Sequence, residues 1–62
     1  MKHYKVFIQA VRKGEAGAEE RMFKYDEDAP DADAARRKAQ IKFDLEWAAS
    51  GWEAESAGVL EF

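Results

Sequence analysis

Chemistry in a protein needs nucleophiles, acids and bases, or ligands for ions, at workable spacings. This chain has no cysteine and a single histidine, His3. Without thiols neither a disulfide nor a thiolate metal site can form, and one imidazole does not make a transition-metal centre. Ser50 and Ser56 lie in no nucleophile motif. The glycines of "KGEAGAE" (Lys13–Glu19) lack the Gly-Lys-Ser/Thr ending of a phosphate loop. The acidic run "DEDAPDAD" (Asp26–Asp33) has carboxylates enough for calcium but not the alternate spacing or the closing glutamate of a calcium loop. A proline and a helix start account for it better. Carboxylates elsewhere would need a dry cleft to separate their pKa values for acid–base work, and so small a chain rarely encloses one. The expectation is a protein that is not an enzyme and carries no metal and no cofactor.

The other chemistry-bearing run is "ARRKAQIK" (Ala35–Lys42), which places Arg36, Arg37, Lys38 and Lys42 on one helix. With Arg12 and Lys13 near a turn, and Phe7 and Met22 able to stack bases from a sheet, these define a nucleic-acid-binding alternative. Charge opposes it. Ten basic residues face thirteen acidic ones, a net charge of −3, whereas polyanion binders carry a basic excess. Glu53, Glu55 and Glu61, read as sharing the open sheet face, would repel phosphates and are expected instead to pair with Lys5 and Lys24 across the sheet. Nucleic acid is therefore the less favoured partner.

The elements that must position these residues are legible. "HYKVFIQAVRK" (His3–Lys13) alternates and is rich in β-branched and aromatic residues, as a strand should be. Tyr4, Val6, Ile8 and Ala10 fall on one side; Lys5, Phe7, Gln9 and Val11 on the other. After "GEAGAE", "RMFKYDE" resumes the alternation with Phe23 and Tyr25 on one side, so a hairpin with a loop longer than the tightest turns is expected. Pro30 holds Ala29 extended, Asp31 suits an N-cap, and Asp33 lies in the first helical turn. A single helix is expected from about Asp31 to Gly51, whose glycine closes it. "WEAESAGVLEF" reads as a third strand in which Trp52, Ala54, Ser56 and Leu60 alternate with Glu53, Glu55 and Glu61, while a bulge at Gly58 would leave the faces of Val59, Leu60 and Phe62 open.

The order β-β-α-β implies one α+β domain spanning residues 1–62. A right-handed crossover sets strand 3 parallel to strand 2. Placing strand 1 between them gives a three-stranded antiparallel sheet of order 2-1-3 with the helix on one face. At 100° per residue, Ala32, Ala35, Ala39, Phe43 and Trp47 form the inward helix stripe. The expected core is Val6, Ile8, Phe23, Tyr25, Ala35, Ala39, Phe43 and Trp52. A domain this small buries only about 60% of its unfolded surface, which explains why so much of its aromatic content is read as core.

A second apolar stripe, Ala34, Ile41, Leu45 and Ala48, lies nearly opposite the first. A surface helix of a monomer normally has one. Either Arg37 and Lys38 drape their stems over it, or it is a contact surface with those two residues as polar rim. On this reading the chain is a small non-enzymatic protein-binding or accessory module, acting through the helix face or a sheet edge, with self-association into a homodimer as one form. No apolar run resembles a signal peptide or a membrane span, and with no cysteine the expected compartment is the cytoplasm. The hairpin, alanine-rich helix and "GW" start of strand 3 resemble many small ββαβ proteins of phage and bacterial genomes, but no motif names a family and no functional residue is carried over.

Overall fold

The computed structural model describes Met1–Phe62. Strand β1 runs Lys2–Gly14, β2 Gly17–Ala29, helix α1 Ala32–Trp47, and β3 Trp52–Glu61, with a single 3₁₀ turn, Ala48–Ser50, before β3. The sheet order is β2-β1-β3 with both pairings antiparallel, as the sequence implied. Thirteen residues at about 3.4 Å each account for the 43 Å long axis of a body only 18 by 13 Å across.

The β1–β2 register runs without interruption from Lys2↔Ala29 to Gly14↔Gly17. The hairpin loop is therefore Glu15–Ala16 alone, shorter than expected. Neither residue has a positive φ; Gly17 takes it instead, at 126°. A glycine placed after the loop lets an ordinary turn meet the strand twist without straining Glu15 or Ala16.

Even positions of β1 and odd positions of β2 face the helix. Tyr4, Val6, Ile8 and Ala10 are buried, as are Phe23 and Ala29. The helix contributes Ala35, Ala39 and Phe43, and β3 contributes Trp52. Alanines at its start bring α1 close to the sheet; Phe43 and Trp47 fill the wider gap at its end. Phe23 is the hub, with ring centroids 5.2 Å from Phe43, 5.0 Å from Trp47 and 5.5 Å from Trp52, distances at which aromatic pairs gain beyond area burial. Trp52 is buried, Trp47 and Tyr25 only half-buried. Tyr25 is thus a wall of the core rather than part of its interior.

Asp31 caps α1 by accepting the Ala34 N–H at 2.8 Å. The α-helix stops at Trp47, and the 3₁₀ turn finishes the run toward Gly51, which is left-handed at φ 89° and donates its N–H to the Ala48 carbonyl. Over the start of β3, the Arg12 guanidinium stacks on the Trp52 ring at 4.9 Å and forms an ion pair with Glu19.

The bulge in β3 is at Glu55, not Gly58. Gln9 pairs with Ser56 and Ala10 with Ala54, leaving Glu55 without an opposite residue. One extra residue inverts every later side chain. Ala57 and Val59 therefore lie on the helix side, opposite Ile8 and Val6; Leu60 lies on the open face, as does Ser56, the latter against expectation. The three glutamates do not share a face either. Glu53 pairs with Val11 on the open side, and Glu61 pairs with Tyr4 on the helix side. Glu61 meets Lys2 at 3.8 Å, while Lys5 sits over the Phe62 ring; the expected pairing with Lys5 and Lys24 does not form.

Candidate interaction surfaces

The outer face of α1 presents Ile41 and Leu45, one turn apart, 60% and 79% exposed. Arg37 and Ala48 are exposed beside them, but Ala34 is half-buried and packs against the core. The contiguous apolar patch is thus Ile41, Leu45 and Ala48. Lys38 does not drape over it: its ammonium reaches the other way and donates to the Asp28 carbonyl at 2.7 Å.

The basic residues of α1 are mostly engaged within the fold. Arg36 bonds Asp33 at 3.0 Å, one turn back. Lys42 reaches across to β2, its Nζ 3.0 Å from Oε1 and 2.8 Å from Oε2 of Glu27. Arg37 makes neither a hydrogen bond nor an ion pair. Glu27 is the one buried charged residue, and no sequence signal beyond its place in the β2 alternation (23, 25, 27, 29) marks it. A carboxylate desolvated at the sheet edge needs a cation, and α1 delivers one. Its hydrogen bond to Glu27 is the main cause holding the Lys42 ammonium above its ordinary pKa. Tyr25, next along that face, is also raised, chiefly by burial and then by the Glu46 charge.

A shallow cleft of about 690 Å³ opens where α1 crosses the end of β2. Its lining is mostly polar: His3 contacts Asp28, Lys42 meets Glu27, and Lys38 donates to the Asp28 carbonyl. No cluster of three His, Cys, Asp or Glu residues is disposed to hold a metal ion. No helix is long and apolar enough to cross a membrane.

The open sheet face carries half-buried Phe7 with Met22 and Leu60, 52% and 56% exposed. Phe7 pairs with Gly58, where an added side-chain carbon would meet nothing within 4 Å. Two apolar regions therefore face solvent on opposite sides of the molecule. The chain matches no protein-family model, no curated protein and no solved structure.

Proposed function

We propose that the chain is a non-enzymatic protein-binding module whose helix offers Ile41 and Leu45 to a protein partner, with Ala48 extending the patch and Arg37 at its rim. The observation that carries this reading is the exposure of both large side chains on a helix whose other face is already occupied by the sheet. Side chains one turn apart are the anchors by which a helix docks into an apolar groove. The absence of cysteine suits a reducing compartment such as the cytoplasm.

The nucleic-acid alternative loses support from the same geometry. Arg36 and Lys42 are paired with carboxylates and Lys38 with a backbone carbonyl, so Arg37 alone among the four is free for a phosphate.

The test is capture of a partner by wild type and by two charge variants on opposite faces, each checked for folding by circular dichroism. Binding is expected to be lost in Leu45→Asp and kept in Met22→Asp. A partner held equally by both variants, or lost only in Met22→Asp, would sink the helix-face reading.

A further inference from the structure

The two edges of the sheet are unlike. β2 is charged along most of its length, with Glu19, Glu20, Arg21, Lys24 and the run Asp26–Asp28, the usual guard against edge-to-edge pairing. β3 carries no charge between Glu55 and Glu61.

The ladder's phase identifies the backbone groups left free there. Phe62 donates its N–H to the His3 carbonyl at 2.9 Å. From that hydrogen-bonded pair the antiparallel pattern alternates. Leu60 and Gly58 bond inward to Lys5 and Phe7, whereas Glu61, Val59 and Ala57 turn N–H and C=O outward. We propose that this edge pairs with the β3 edge of a second copy of the chain, antiparallel and two-fold symmetric, with Val59 opposite Val59.

Three constraints select that register. Opposite residues must share a face, which excludes shifts by one residue. Every outward group must find its mate: Val59 exchanges bonds with Val59 of the second copy, and Ala57 with Glu61 of the second copy. Sliding two residues toward Gly58 sets the outward groups of Glu61 against the irregular Glu55, where they find no mate, and sliding two the other way leaves Ala57 unpaired. The pairing stops short of the Glu55 bulge, where the strand ceases to be regular.

Shape agrees with charge. In this register Leu60 of the second copy falls opposite Gly58, and a side-chain carbon at Gly58 would have nothing within 4 Å. The leucine occupies the open space over Gly58, and by symmetry each chain's exposed Leu60 is covered once. The second copy thus supplies the side chain that Gly58 lacks. The contact uses neither Ile41 nor Leu45, so it and the helix-face reading can fail separately.

Sedimentation equilibrium over a concentration series tests it with wild type, Ala57→Pro and Ile41→Asp. Proline at position 57 removes an N–H that faces water in the monomer, a place where an edge strand accepts it. Wild type is expected to approach twice the chain mass of 7.1 kDa. Ile41→Asp should do the same, while folded Ala57→Pro stays monomeric. Should that variant fail to fold, amide exchange in wild type decides: the Val59 N–H slows at high concentration if the edges pair. A wild type that stays monomeric to about 1 mM overturns the proposal. So does a dimer unaffected by Ala57→Pro, or a Val59 amide indifferent to concentration.

Discussion

The ammonium of Lys42 lies 2.8 Å and 3.0 Å from the two carboxylate oxygens of Glu27, joining α1 to the edge strand β2 across fifteen residues of sequence. Glu27 is only 5% exposed, while the Lys42 side chain is half in water. Removing the lysine leaves a desolvated carboxylate without its cation. Lys42→Met is expected to cost about 1–3 kcal/mol, less than a fully buried pair because water screens one partner. Urea denaturation at neutral pH measures it; an unchanged midpoint would mean that the pair contributes nothing.

Lys42 and its neighbour Tyr25 also make stability depend on alkaline pH. Lys42 is raised above its ordinary 10.5, first by its hydrogen bond to Glu27, and Tyr25 above 10.0, first by burial. A folded-state pKa above the unfolded one gives stability that is full below the unfolded value and is lost as pH rises through the folded value. Both groups therefore act in the same direction, and the melting temperature should fall above about pH 10. In Glu27→Gln the part due to Lys42 should disappear. Melting curves from pH 8 to about 12 of both proteins provide the check, and identical alkaline profiles would refute the assignment.

Phe43 is 1% exposed and stacks edge-on against Phe23. Phe43→Ala removes the side chain on which α1 rests and should cost about 3–5 kcal/mol, enough to unfold so small a domain. Loss of cooperative melting is expected; a variant with the wild-type melting temperature would displace Phe43 from the core.

Two glycines should respond oppositely to a methyl group. Gly51 sits at φ 89° with Arg12 beside it, so Gly51→Ala is strained by backbone conformation and is expected to cost about 1 kcal/mol. Gly58 has no positive φ and open space at its Cβ position. Gly58→Ala should raise stability by about 0.4–1 kcal/mol in dilute monomer. Equal effects at both sites would contradict the backbone assignment.

Where sequence and structure agree, one periodicity decided the outcome. Alternation in β1 and β2 placed Val6, Ile8 and Phe23 on the helix side, and the spacing of Ala35, Ala39 and Phe43 fixed the inner stripe of α1. Proline, Asp31 and Gly51 marked the boundaries because their backbone preferences act locally. The differences arise where the deciding contact is remote or the chain is silent. Nothing in Glu55 signals a bulge, and one unpaired residue was enough to invert the faces of Ala57, Val59 and Leu60. Glycine is permissive, so Gly58 reads as a bulge in sequence, yet it sits in regular pairing opposite Phe7. Lys38 and Lys42 read as surface charge since their partners, Asp28 and Glu27, are brought close only by folding. Of the candidate patch, Ile41 and Leu45 were legible from helical phase, whereas the cover over Ala34 was not.

The central strand meets its two neighbours over very different lengths of chain. β1 turns into β2 through Glu15 and Ala16, but Arg12 reaches Trp52 only after about 40 intervening residues, and closure entropy grows with that length. The hairpin is therefore expected to zip early, and the last strand to dock late and limit the folding rate, as distant pairings do. Both tryptophans belong to the late event, because Trp47 and Trp52 reach Phe23 only when the helix end and β3 arrive. Their fluorescence is a built-in clock for the slow half of folding, and an amide probe in the hairpin should run ahead of it.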